Sequence, residues 1–146
     1  MSKLLGNLKE GLFFIISGPG GSGKNTLVNL LKSEFLCVEE TVSCTTRLKR
    51  EQEKDGYEYF FISHEDFQKK IKEHAFLEHS QVVKDNYGTL KSEVTKIQAQ
   101  GKHVIAVIEV KGAAQIRKQK EVISIFILPP SLDVLRKRLQ DRKSVV

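Results

Sequence analysis

A chain of 146 residues, 40% hydrophobic and 29% charged, has the makeup of one globular domain with room for a substantial core, and it excludes a disordered or low-complexity polymer. The formal net charge of +6 favours anionic partners, but no run of five like charges occurs, which speaks against a nucleic-acid-binding tail. Cys37 and Cys44 are too few for a disulfide framework, and the apolar run Leu12–Ile16 is too short for a signal segment or a membrane span; the expected setting is therefore reducing and cytoplasmic, away from membranes.

Leu12-Phe13-Phe14-Ile15-Ile16 is a continuous aromatic and branched run that ends in glycines, the pattern of a strand buried on both faces of a parallel sheet. Beyond the glycines, Leu27, Leu30, Leu31 and Phe35 recur at helical spacing. The block Thr41–Phe61 is polar, with short strand-like pieces at VSCTT and YEYFFI. Ser63 with Asp66 three residues on resembles a capping box, and Phe67 and Ile71 mark the helix face that follows. FLEHSQVV reads as a strand, NYGT as a turn, and Ser92 to Gln100 as a helix stopped by Gly101. His103–Val110 reads as a second buried strand, a short helix follows Gly112, and Val122–Leu128 reads as a third buried strand. Pro129-Pro130 breaks that strand, and Ser131 caps a helix with Leu132, Leu135 and Leu139 as its stripe. Strands alternating with helices predict a parallel α/β sheet.

The stretch GPGGSGKNT, Gly18–Thr26, lies between the first strand and the first helix. It matches the phosphate-binding pattern G-x-x-x-x-G-K-[ST] except that Asn25 stands where a hydroxyl is expected. In such a loop the backbone N–H groups of Gly18, Pro19's successors Gly20, Gly21, Ser22 and Gly23, and the helix N-terminus cradle phosphate oxygens, while Lys24 reaches the β- and γ-phosphates. A glycine-rich strand-to-helix turn is the plain alternative; the flanking strand and helix favour the phosphate loop. Asn25 offers a neutral oxygen to Mg²⁺, directly or through water, whereas Thr26 points elsewhere on the helix. Glu109, at the end of the second buried strand, is the candidate second acid near the metal, although an ordinary strand-end glutamate fits the spacing equally well. His64, His74, His79 and His103 are unclustered and read as surface or packing residues.

Ser43–Arg47 with Arg50, Glu53, Gly56 and Tyr59 spell S-x-T-T-R-x-x-R-x-x-E-x-x-G-x-x-Y. Together with FLEHSQV, NYGT, IEVKGA and SIFILPPS behind the phosphate loop, this resembles guanylate kinase from about Phe14 almost to Arg142. The resemblance implies phosphoryl transfer from ATP, with Mg²⁺, to GMP or dGMP. By the same resemblance Arg47 and Arg50 clamp the GMP phosphate, and Ser43, Tyr59 and Tyr87 add hydroxyl donors. Glu78 reads the guanine edge, Thr89 contacts the base, Gly88 lets the backbone turn there, and Glu109 lies on the nucleotide. Arg138 and Arg142 match arginines at the start of the lid over ATP, so Lys24, Arg47, Arg138 and Arg142 form the expected catalytic set.

Two positions depart from the pattern. Val107 stands where many relatives carry an acid, and Lys111 stands where Gln is usual. After Arg142 the sequence reads Lys-Ser-Val-Val, where the family pattern continues with the rest of the lid, a helix, a strand and a final helix. The expected architecture is a P-loop NTPase-type core over residues 1–41 and 90–146, a parallel sheet flanked by helices. A GMP-binding subdomain is inserted at 42–89, and the lid and C-terminal elements are missing. A catalytically inactive nucleotide- or protein-binding module of the same family, or a fragment of a kinase, is the alternative; the glycines and Lys24 of the loop argue against the inactive module.

Overall fold

In a computed structural model, which describes residues 11–144, the chain forms two four-stranded sheets. The first contains β1 (Phe13–Ser17), β2 (Val38–Glu40), β7 (His103–Val107) and β8 (Ile123–Phe126), all parallel, in the order β2-β7-β1-β8. The second contains β3 (Cys44–Thr45), β4 (Phe60–Phe61), β5 (Phe76–Val82) and β6 (Asp85–Leu90) in the order β4-β3-β6-β5, with β6 antiparallel to both its neighbours. The helices are α1 (Lys24–Glu34), α2 (His64–Lys72), α3 (Lys91–Ala99), α4 (Val110–Arg117) and α5 (Leu132–Ser144). The side chain of Arg142 and residues 1–10 of the predicted core lie outside what the structure describes. Among the described residues no helix is long and apolar enough to cross a membrane.

β1 is central because every residue in FFIIS except Phe14 is buried, so neither face reaches solvent. One face packs Phe13, Ile15, Val104 and Ala106 against Val94 and Ile97 of α3 and Ala113 and Ile116 of α4. The other packs Ile16 and Ile105 against Val28 of α1. Each such aliphatic side chain contributes about 1.5–3 kcal/mol on full burial. A third cluster, Phe67 of α2 with Cys44 and Phe76, belongs to the second sheet. Consecutive residues Phe76 and Leu77 face opposite clusters, so β5 stitches the second sheet to the core.

Several elements differ from the sequence reading, each for a local reason. NYGT is strand, not turn: Asn86 to Thr89 lie in β6 and pair with β5, and the reversal falls at Val83-Lys84. The second buried strand ends at Val107, and Glu109 caps α4, so Gly112 lies inside that helix rather than before it. The strand at Val122–Leu128 is shorter and not buried: every residue of β8 is exposed, and β8 lies at the edge of the sheet, pairing with β1 alone among the described strands. β2, at VEE, went unread because a three-residue strand with two acids has no apolar alternation. In α1 only Val28 is fully buried, and Leu30 and Phe35 of the expected stripe are exposed. The Ser63 cap is present, its hydroxyl accepting from Asp66 N at 3.0 Å, and Ser131 does the same for Val134 N at 3.1 Å.

The β5–β6 reversal puts Val83 at φ 59, where a β-branched L-residue is strained by about 1–2 kcal/mol. Its side chain is 92% exposed and so gives little back through packing. Val83→Asn, which tolerates that conformation, is expected to raise stability by about 1 kcal/mol in chemical denaturation. An unchanged or lower midpoint would show that the turn carries no such strain.

Candidate active site

The C-terminal ends of parallel strands open onto a common edge, where ligands bind in open α/β sheets. There the Ser17 hydroxyl donates to Ile108 O at 2.6 Å, tying β1 to the segment after β7. The chain then turns through Gly18–Gly23 into α1. Gly21 and Gly23 have φ of 79° and 95°, a conformation only glycine adopts without strain. Gly18 is confined differently: a Cβ there would lie 2.4 Å from Ile127 O. The first turn of α1 contains no acid, so its positive end is not offset. The Ser22 hydroxyl is buried with no hydrogen-bond partner in the described structure. Gly20 to Thr26, Asn25 included, line a small cavity of about 100 Å³. The Lys24 ammonium folds back to donate to Gly18 O and Pro19 O.

A wider cleft of about 670 Å³ adjoins the loop, walled by Leu27, Leu30, Leu128 and Pro130. Arg138 lines it too, and its Nη1 donates to Gly21 O at 2.9 Å. Arg138 thus rests on the loop backbone, while the placement of the Arg142 side chain is not described.

A second cavity, of about 330 Å³, lies between the sheets. Ser43, Tyr59, Glu78, Tyr87, Gly88 and Glu109 all line it, together with Val107 and Ile108. Thr89 stands behind Glu78: its hydroxyl donates to Glu78 Oε1 at 2.7 Å. A bulge in β5 creates this pair. Phe76 is opposite Leu90, but the extra residue Leu77 moves Glu78 opposite Thr89. Glu78 is only 8% exposed. Desolvation pushes its carboxyl above the ordinary range, Glu109 adds to the rise, and the Thr89 bonds oppose it.

Arg47 and Arg50 do not line this cavity; Arg47 lies beside it, against the Tyr59 ring that does. Arg47 makes two parallel bonds to Glu53, Nη1 to Oε1 and Nη2 to Oε2, both 2.8 Å. Its guanidinium lies 5.3 Å from the Tyr59 ring centre and 5.7 Å from that of Phe61. Tyr59 in turn meets Tyr87 edge-on at 5.8 Å. The Arg47 bonds, then the Arg50 backbone N–H, lower the Glu53 carboxyl to about 2, and the same pairing raises the Arg47 guanidinium. Burial raises the Tyr59 phenol. Arg50 is exposed, and its N–H donates to Glu53 Oε1 at 2.9 Å.

Asn25 and Glu109 line different cavities, and among the described residues no group of three His, Cys, Asp or Glu side chains is arranged to hold a metal. Three participants were not singled out from the sequence. Ser80 and Val82 share the cavity face of β5 with Glu78, as the period of two in a strand requires. Glu53 was part of the quoted motif without a role; its six-residue separation from Arg47 was the available signal.

A sequence model described as guanylate kinase matches residues 11–145. The guanylate kinase of Protochlamydia amoebophila (strain UWE25) is 46% identical over 140 residues, which cover 95% of this chain and 71% of that protein. That of Hydrogenovibrio crunogenus (strain DSM 25203 / XCL-2) is 46% identical over 133 residues, 90% of this chain and 65% of that protein. The crystal structure of guanylate kinase from Anaplasma phagocytophilum superposes with a TM-score of 0.73 at 30% identity, covering 93% of this chain and 70% of that one. The chain spans between 58% and 71% of the length of the curated relatives it matches.

Two outcomes test the electrostatics of the cavity. A carboxyl whose pKa is higher folded than unfolded favours folding below its unfolded pKa of about 4.3, and that contribution is lost as pH rises through the folded value. Glu78→Gln is therefore expected to unfold at higher denaturant than the parent at pH 7, with the gap closing toward pH 4; a less stable variant at pH 7 contradicts the buried charge. For Glu53, a ¹³C titration of the carboxyl carbon is expected to show a midpoint near 2. A midpoint near 4.3, the ordinary glutamate value, contradicts the fork with Arg47.

Proposed function

The chain belongs to the guanylate kinase family, and on that premise we propose that it transfers the terminal phosphoryl group of ATP to GMP, or dGMP, giving ADP and GDP or dGDP. The observation that carries the reading is the pairing of two unlike cavities at one sheet edge. One is a glycine loop entering a helix N-terminus. The other is lined by the buried Glu78 carboxylate and by Tyr59 and Tyr87, with Arg47 packed against Tyr59 beside it.

The chemistry suits these residues. The attacking atom is a phosphate oxygen, already anionic at neutral pH, so no side chain is needed to remove a proton. The task is to hold two polyanions in line and neutralise the transferred group. The loop N–H groups and Lys24 take the donor phosphates, which requires the ammonium to leave the carbonyls of Gly18 and Pro19 for a better anion. Arg47, Arg50, Ser43, Tyr59 and Tyr87 take the acceptor phosphate; the bidentate geometry of guanidinium matches phosphate oxygens. Glu78 accepts from N1–H and the 2-amino group of guanine, donors that adenine does not offer on that edge. Thr89 orients the carboxylate by bonding Oε1, and Glu109 adds a second carboxylate in the same cavity. Arg138 and Arg142 act on the donor phosphates from α5.

The metal of this reading is Mg²⁺. Asn25, an exposed oxygen donor on the loop, would hold it together with the nucleotide phosphates, and Glu109, an exposed donor on the neighbouring cavity, is the candidate second ligand. Once there, Mg²⁺ neutralises charge on the phosphate oxygens. The cellular setting of this reading is the cytoplasm.

The test is ADP release coupled to an optical readout, with GMP as acceptor and AMP as control. GMP is expected to be preferred by about 10⁴ or more, since a polar site rejects an analogue that leaves its buried groups unpaired. Lys24→Ala is expected to abolish turnover and ATP binding while calorimetric GMP affinity stays near the parent's. Turnover that ignores GMP, or an unaltered Lys24→Ala enzyme, overturns the assignment.

A further inference from the structure

Helix α4 holds the Glu78 strand from its outer edge. Gln119 Nε2 donates to Leu77 O at 2.8 Å. The Gln115 carboxamide spans the His79 backbone, accepting from its N–H and donating to its C=O, each at 3.4 Å. The residues before and after Glu78 are thus gripped by Gln119, in the turn that follows α4, and by Gln115 within it. One turn earlier on the same face lies Gly112, three residues before Gln115. It is buried, and its φ is outside the left-handed range, so no backbone conformation calls for glycine there.

The surrounding space does call for it. A Cβ on Gly112 would lie 2.6 Å from Glu78 Oε2 and 2.6 Å from Ile108 Cγ2. Ile108 is buried and β-branched, with little rotamer freedom. The carboxylate is the end of a flexible side chain, so it is the group that yields. Its Oε1 is the acceptor of the Thr89 bond, and moving the carboxylate away from Gly112 breaks the alignment that fixes both oxygens.

We propose that Gly112 is a specificity-determining position for the acceptor base: its missing side chain is the seat in which α4 and the turn after it, through Gln115 and Gln119, set the Glu78 carboxylate against Thr89 for a guanine edge. The proposal rests on the guanylate kinase reading, and Gly112 acts through Glu78 as a positioning residue.

Calorimetry on the full chain with GMP, inosine monophosphate and ATP tests it, with melting measured alongside. Inosine monophosphate keeps N1–H and lacks the 2-amino group, so it reports whether the second oxygen is in place. The parent is measured first: if it binds no GMP, the functional reading falls and this proposal with it. If the parent binds, Gly112→Ala is expected to weaken GMP by about tenfold or more, the size of one lost bond to a charged group. The preference for GMP over inosine monophosphate should shrink, and ATP affinity should stay unchanged. Glu78→Asp, which shortens the acid by one methylene, is expected to cost affinity in the parent but little or none on top of Gly112→Ala, because the shorter chain clears the methyl. A Gly112→Ala protein with parental GMP affinity and selectivity overturns the proposal while leaving the kinase reading standing. So do losses from the two substitutions that simply multiply, or equal losses for ATP and GMP, which mark a general packing defect. If Gly112→Ala does not fold, adding Ile108→Leu removes the Cγ2 methyl and leaves only the contact with Glu78. Binding by that double variant then decides between the same outcomes.

Discussion

An acid held at 8% exposure between two sheets is the constraint around which this molecule is arranged. Water no longer solvates Glu78, so its charge must be met by donors fixed in place, and any error in their position is costly. Three neighbouring residues of β5 answer to three different environments: Phe76 packs with α2, Leu77 with the central sheet, and Glu78 with the cavity. A regular strand cannot aim three consecutive side chains this way. The bulge at Leu77 does so by adding a residue, and it also brings Thr89 opposite Glu78. The carboxylate's position is thus a product of the packing on both sides of it. Its raised pKa is the cost of that position, and the fold bears it at neutral pH because the central clusters are large.

The cationic half of the molecule follows the same logic by another route. Arg47 is not left to wander: Glu53 holds both terminal nitrogens, and the neighbouring Tyr59 and Phe61 rings pack against the guanidinium. The Thr45 hydroxyl accepts from Arg47 N and donates to Asn86 O, fastening the run to β6. Lys24 and Arg138 likewise rest on carbonyls of the glycine loop. Each cation is already oriented, so a phosphate that binds there orders few side chains and loses little entropy in doing so. Glu53 offsets part of the arginine's charge and fixes the direction in which its remaining donors point.

How much of this was legible in the sequence depended on the range of the forces involved. The glycine loop was legible because positive φ at Gly21 and Gly23 is a local requirement that a residue type reveals. β1 and β7 were legible because burial on both faces leaves an unbroken apolar run. β8 misleads for the same reason: an apolar run reads as a buried strand, whereas side-chain burial depends on what packs over the two faces of the sheet, and every residue of β8 is exposed. NYGT misled because Asn, Gly and Tyr are common in turns, and only cross-strand pairing with β5 makes them strand. The motif letters named Arg47, Glu78 and Thr89 without their geometry. That Glu53 forks Arg47, that Thr89 bonds Glu78, and that Gly112 leaves the space are contacts spanning 6, 11 and 34 positions; the second depends on the bulged pairing of β5 with β6, and the third on how α4 packs against β5.

The arrangement of charge also orders the ligand. Glu78 and Glu109 line the cavity between the sheets together with Tyr59 and Tyr87, and Arg47 lies beside it against Tyr59. Like charges lining one cavity are unfavourable in isolation, and Glu109 does raise the Glu78 carboxyl. A ligand with donor groups at one end and an anion at the other relieves both problems together: its donors stabilise the carboxylates and its phosphate satisfies the guanidinium. The reverse orientation sets anion against acid, which costs several kcal/mol across a close contact. On the reading proposed above, the placement of the charges favours one orientation of the nucleotide, and the bonds of Glu78 then choose among bases. Val107 fits this division. It lines the cavity and packs with Ile16 and Ile105, so it contributes shape without charge, and the cavity's polarity is carried by residues such as Glu78, Glu109, Tyr59 and Tyr87.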